Sequence, residues 1–150
     1  DVYKRQCMYS ALDVSKYIIK RCNENGYTIS NLKLQKILYF VQAEFLVCTG
    51  RVCFPENIQA WDFGPVVSEV YHRYKVYGSA NIPYVRIGDE TKILSGDRKL
   101  MDGIIDECSQ YSASRLVEIT HNQDPWRNAY RPYMDNVITP QSIKKYFEEE

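Results

Sequence analysis

The side chains of this chain best suited to acid–base, nucleophilic or metal chemistry are two histidines, His72 and His121, and five cysteines. The run Thr120-His121-Asn122-Gln123-Asp124-Pro125-Trp126 places an imidazole and a carboxylate three residues apart, from which a Ser–His–Asp or Cys–His site can be drawn. The same residues have a simpler reading. A histidine in the last turn of a helix suits the negative end of the helix dipole, and Asp124 followed by Pro125 is an N-cap with proline at the first helical position. His72 lies off the apolar stripe of its segment, beside Arg73, and reads as a solvated surface residue. Cys48 and Cys53, with His72 or His121, have the loosest of zinc spacings. Cys22, Cys48 and Cys108 instead occupy apolar helical positions, where a free thiol packs as a small hydrophobe. The seven glycines are spread singly, without a phosphate-binding loop. The residues therefore predict no enzyme, no cofactor and no metal.

Binding chemistry is better represented. Lys33, Gln35 and Lys36 open a helix that follows a short helix and turn, so they are candidates for reading DNA bases. That helix continues as Ile37-Leu38-Tyr39-Phe40-Val41, too apolar around its circumference to lie in a groove. DNA is thus an unlikely partner, and zero net charge (19 basic, 19 acidic residues) argues the same way. Aromatic residues from separate segments, Tyr39, Trp61, Phe63, Tyr71, Tyr74 and Trp126, are the materials of a protein-binding surface. Tyr71 and Tyr74 read as core-facing. Trp61 and Phe63, on a connector, are the surface candidates.

The elements that must hold these residues read as one mainly α, compact single-domain helical fold of 150 residues. Residues 1–7 read as a non-native, adapter-derived or disordered N-terminus, and residues 8–150 as the domain. Ser10 and Asp13 open a helix with Val14, Tyr17, Ile18 and Cys22 on one face; Asn25-Gly26 ends it. A second helix starts near Thr28 or Ser30 and spans about 31–49, where Gly50 stops it. Leu34, Ile37, Leu38, Val41, Phe45 and Cys48 form one face and further apolar residues the others, so this is the buried central helix. Short strands, or a small hairpin, are expected near 58–61 and 84–87. Pro65 is expected at the start of a third helix that Gly78 closes. Ser95 or Asp97 caps a fourth, Ser112 a fifth, and Thr139-Pro140 opens the last. Odd, scattered cysteines predict a reduced, cytoplasmic protein. No membrane span and no signal peptide are read.

The stretch from Leu32-Lys33-Leu34-Gln35-Lys36 through Tyr39 and Gln42, then Gly50-Arg51, Trp61-Asp62-Phe63-Gly64-Pro65-Val66-Val67, Lys75-Val76-Tyr77-Gly78, Leu116 to His121 and Pro125-Trp126 resembles the Panacea domain of the SocA-like, or phage-associated GepA-like, antitoxins. The order and spacing run over nearly the whole chain. The resemblance implies a bacterial or prophage antitoxin that neutralises a protein toxin, encoded next door, by direct contact. At least one kind acts as an adaptor that delivers its toxin to the ClpXP protease, so a proteolytic adaptor, or a DNA-binding transcriptional regulator, is the alternative function. The motif residues Lys33, Gln35, Lys36, Tyr39, Gln42, Trp61, Phe63, Gly64, Pro65, His121, Pro125 and Trp126 become the candidate contacts. On this reading Lys33 and Lys36 add surface charge to the encounter with a partner. The tract 79–96 lies outside the resemblance and is where partner choice would be set.

Overall fold

The computed structural model describes residues 9–84 and 93–149. In chain order its elements are α1 (Ala11–Glu24), α2 (Asn31–Thr49), β1 (Ile58–Trp61), β2 (Gly64–Val66), α3 (Ser68–Tyr74) with a 3-10 turn at Lys75–Tyr77, α4 (Ser95–Cys108), α5 (Ala113–His121), α6 (Asp124–Ala129), β3 (Val137–Ile138) and α7 (Pro140–Glu148). The fold is mainly helical, as expected. Four helix starts follow one piece of local chemistry: a hydroxyl accepts the backbone N–H three residues on, which would otherwise lack a partner. Ser10 caps α1, Ser30 caps α2, Ser112 caps α5 and Thr139 caps α7, with Pro140 in the first turn of α7. Gly50 ends α2 in the left-handed conformation, at φ 73°.

Helix α2 is the axis of the domain. Helices α1, α3, α4, α5 and α7 and strand β2 all pack on it. Leu34, Ile37, Leu38, Val41, Phe45 and Leu46 are fully buried. The seam between α1 and α4 is polar and charged. Arg21 forks onto both carboxylate oxygens of Asp106 at 3.0 and 2.7 Å, and that hydrogen-bonded guanidinium holds the Asp106 carboxyl below its ordinary range. Tyr17 donates to Asp102 at 2.6 Å.

The small sheet is antiparallel in the order β2-β1-β3. Trp61 pairs with Gly64, so Asp62 and Phe63 form a two-residue hairpin tip. The expected strand at 58–61 is present, and β3 adds Val137 opposite Gln59 and Ile138 opposite Ile58. The expected strand near 84–87 lies, apart from Tyr84, outside the described residues, as do residues 1–7. Tyr84 itself is in no regular element.

Four local expectations are corrected. Pro65 lies in strand β2 opposite Ala60, and α3 begins three residues later at Ser68. β2 is an edge strand, where proline's missing N–H costs no ladder bond. Neither Ser95 nor Asp97 caps α4: Leu94 holds the cap position, and Asp97 is buried, taking Arg51 at 2.8 Å and the Tyr9 hydroxyl at 2.6 Å. Gln123, not Asp124, is the N-cap of α6. Cys48 is exposed rather than inward, because the last turn of α2 runs past the core. Cys22, Cys53 and Cys108 are buried, and all four described cysteines are free thiols. No helix among the described residues is long and apolar enough to cross a membrane.

Candidate functional site

Asn31, Lys33, Gln35, Lys36 and Gln42 of α2 are buried, and their side chains tie the helix to neighbouring segments. Gln35 accepts from Val67 N–H and donates to Asn31, which in turn donates to Tyr71 O. Gln42 accepts from Cys53 N–H at 2.7 Å and donates to Phe54 O at 2.9 Å. The Tyr39 hydroxyl, fully buried, donates to the Gln123 side chain at 2.8 Å, tying α2 to the start of α6. Lys36 is 0% exposed and donates to Pro65 O at 2.9 Å. Burial holds its amine down to about 7. Lys33 is 7% exposed and reaches Ser109 O at the end of α4. In this conformation Lys33 and Lys36 supply no surface charge to a partner, which corrects the expectation that they would. Lys33, Gln35 and Lys36 cannot enter a DNA groove either, because they are inside.

What α2 holds in place is the β1–β2 hairpin. Gly64 has a φ of 104°, and a Cβ there would lie 2.7 Å from Lys36 Cε and 2.9 Å from Thr120 Oγ1. The position requires glycine for both its backbone and its space. Across the tip lies a column of three stacked rings. His121 stacks on Trp126 at 4.0 Å between centroids, and Trp126 on Tyr130 at 4.6 Å. Each ring also bonds to the hairpin. His121 Nε2 donates to Asp62 O at 3.0 Å, Trp126 Nε1 donates to Trp61 O at 2.8 Å, and the Tyr130 hydroxyl donates to the Asp62 carboxylate. Because a carbonyl only accepts, Nε2 carries the proton. Burial lowers the His121 pKa; the bond to Asp62 O opposes that shift, and the nearby Lys36 amine adds to it. The imidazole is therefore a neutral Nε2–H donor engaged in structure.

No described hydrogen bond joins His121 to Asp124, and among the described residues no three His, Cys, Asp or Glu side chains gather as a metal set. The Trp61 ring meets Tyr71 edge-on at 5.1 Å and His72 at 6.4 Å, so α3 backs the hairpin from the other side. His72 is exposed, as read.

Of the candidate residues, Trp61, Phe63, Gly64, Pro65, His121 and Trp126 come together here, with Lys36 directly beneath. Tyr39 and Pro125 support them from inside; Pro125 is buried in the first turn of α6. Lys33 and Gln42 serve other junctions. Phe63, at the tip, is 54% exposed.

Three residues of the surface went unread in the sequence. Tyr130 completes the ring column. Beyond it Tyr133 is fully exposed, and Met134 is exposed as well. Tyr133 has a φ of 64°, unusual for a tyrosine. Ala60 N–H donates to Asn136 O and Val137 pairs with Gln59, so this loop is laced to the hairpin. The available signal was the run Tyr130-Arg131-Pro132-Tyr133-Met134: two aromatics and a methionine without helical period between two helices.

The family described as "Antitoxin SocA-like, Panacea domain" matches residues 34–127, from the middle of the α2 motif to the ring column. Antitoxin SocA of Caulobacter vibrioides is 39% identical over 128 residues, covering 75% of this chain. The aligned region spans 66% of that relative's own length. No solved structure matches.

Proposed function

This chain belongs to the SocA-like antitoxin family built on the Panacea domain, and we propose that it neutralises a protein toxin by masking it with the aromatic ledge at the hairpin tip. The observation that supports this is the exposure of Phe63, Tyr133 and Met134 around a rigid three-ring column. Exposed aromatic and methionine side chains on a pre-ordered base are the usual anchors of a protein interface. The positive φ of Tyr133 costs backbone energy that a free loop would shed. A binding role is supported by the His121 imidazole, which is engaged as a hydrogen-bond donor that holds the hairpin. On this reading the protein works in the bacterial cytoplasm beside a toxin encoded by an adjacent gene.

The test is co-expression with that neighbouring toxin, scoring growth and then pull-down. Wild type restores growth and is recovered in a stable complex. Phe63→Ala with Tyr133→Ala stays folded and loses both. A folded double variant that still neutralises and still co-purifies would exclude the ledge. If growth returns because the toxin disappears, with its half-life shortened only in a strain carrying ClpXP, the chain delivers the toxin to that protease instead of masking it.

A further inference from the structure

Helix α3 and its 3-10 turn have a second face, turned away from the aromatic ledge. There Arg73, Tyr74, Val76 and Tyr77 face Lys16 and Ile19 of α1 across a cleft of about 220 Å³, closed at one end by Pro83 and Tyr84. The cleft has three features. Its charges are of one sign: Lys16 and Arg73 line it, no carboxylate does, and neither forms an ion pair among the described residues. This is a local excess in a chain of zero net charge. Its walls are aromatic and apolar: Tyr74 and Tyr77 lie nearly parallel, 28° apart, and Val76 stands 81% exposed at the lip. It also contains an unsatisfied group. The Tyr84 hydroxyl is shut off from solvent and has no hydrogen-bond partner among the described residues. Its backbone is meanwhile held to α1 through Asn23, which accepts from Tyr84 N–H and donates to Ile82 O. A buried hydroxyl without a partner is unfavourable and uncommon, and it marks a site where an acceptor belongs.

We propose that this cleft binds a peptide segment presenting a carboxylate next to an aromatic or aliphatic side chain. The carboxylate sits between Lys16 and Arg73, the neighbouring side chain lies against Tyr74, Tyr77 and Ile19, and the Tyr84 ring turns to donate its unpaired hydroxyl to the carboxylate. The cleft volume favours this occupant: it is below the roughly 300–1,000 Å³ of pockets that enclose whole small molecules, and suits one side chain of a longer chain. Arginine and lysine facing a carboxylate across apolar walls also give charge-assisted hydrogen bonds in a partly dry setting, where they are strongest. Pro83 and Tyr84 lie within the tract 79–96, which holds none of the motif residues that carry the resemblance. The proposal does not depend on the ledge binding a toxin.

The experiment is amide chemical-shift mapping of the full chain, titrated with the tripeptide acetyl-Gly-Glu-Phe as free acid. Controls are its neutral counterpart acetyl-Gly-Gln-Phe-amide and inorganic phosphate alone. Saturable shifts at Lys16, Ile19, Tyr74 and Val76 are expected with the acidic peptide only. The charge reversals Lys16→Glu and Arg73→Glu, at surface positions that leave the melting curve unchanged, weaken binding about tenfold or more. Tyr84→Phe separates the site from mere packing: it raises the melting temperature of the free protein, because the orphan hydroxyl is gone, yet weakens the peptide. The proposal is overturned if the acidic peptide causes no shifts at these amides, or if the neutral peptide shifts them equally. It is likewise overturned if phosphate alone binds as tightly, if the charge reversals have no effect, or if Tyr84→Phe leaves peptide affinity unchanged.

Discussion

Along α2, Asn31, Lys33, Gln35, Lys36 and Gln42 are polar and buried, and Tyr39 buries its hydroxyl; around the hairpin tip, the large side chains of Phe63, Tyr133 and Met134 are exposed. The two regions invert the usual partition of side chains, and the inversions are linked. Buried polar groups on α2 meet loop, strand and helix-end segments at residues 53–54, 65–67 and Gln123, and through Asn31 they reach the Tyr71 carbonyl in α3. A helix that supplies those partners lets irregular chain be buried without unpaired amides. The hairpin and the ring column can then stand on a rigid base and present apolar side chains that do not collapse into the core. The motif most visible in the sequence therefore builds the scaffold, and the less visible loop around Tyr133 offers the surface.

Substitutions that strike the two regions differently sharpen this contrast. The largest expected effect is Gln42→Ala. It removes the acceptor that meets Cys53 N–H and the donor that meets Phe54 O, and opens a cavity, at a cost of about 4 kcal/mol; chemical denaturation checks it. Gly64→Ala follows at about 3 kcal/mol, from a φ that alanine resists together with crowding against the buried Lys36 and Thr120 side chains. Its melting temperature should fall together with the Trp126 fluorescence environment, since the column rests on the hairpin. If Gly64→Ala melted like wild type, the rigid-base argument would fail.

The ledge should respond in the opposite sense. Tyr133→Ala changes folding stability by less than about 0.5 kcal/mol, and costs about 2 kcal/mol of toxin binding, roughly thirtyfold in Kd, as read by calorimetry on the complex. A Tyr133→Ala protein that lost stability instead would make the loop part of the scaffold and dissolve the contrast. The last test is the sign of a slope. Lys36 keeps its proton to pH 10.5 when unfolded and only to about 7 when folded. Between those values the unfolded chain holds the extra proton, so stability rises with pH across that window and falls as pH drops from 10.5 towards 7, below which this group changes nothing further. The slope is positive across that window and flat below it. Lys36→Met should flatten the stability profile between pH 7 and 10, measured by urea denaturation at each pH.

Local signals were legible wherever a few neighbouring residues decide the outcome. Ser10, Ser30, Ser112 and Thr139 were readable as caps because the acceptor and the N–H it satisfies lie three residues apart in the chain. The same holds for Gly50, whose left-handed conformation follows from having no Cβ, and for the apolar circumference that marked α2 as central. The family, too, was written in the order of motifs from α2 to Trp126.

Tertiary structure alone decided which way the motif residues face. Lys36 reads as a surface charge until five helices and a strand close around α2. Asp97 reads as a cap until Arg51 and Tyr9, 46 and 88 residues away, meet it. Pro65 reads as the start of a helix until β1 arrives to make it an edge strand. His121, Trp126 and Tyr130 become one column because Trp61 and Asp62 offer three acceptors in a row, about 60 to 70 residues earlier in the chain. Caps and turns depend on energies between neighbours in sequence. Burial, pairing across a sheet and ring stacking depend on which distant segments share space, and residue spacing along one chain does not encode that.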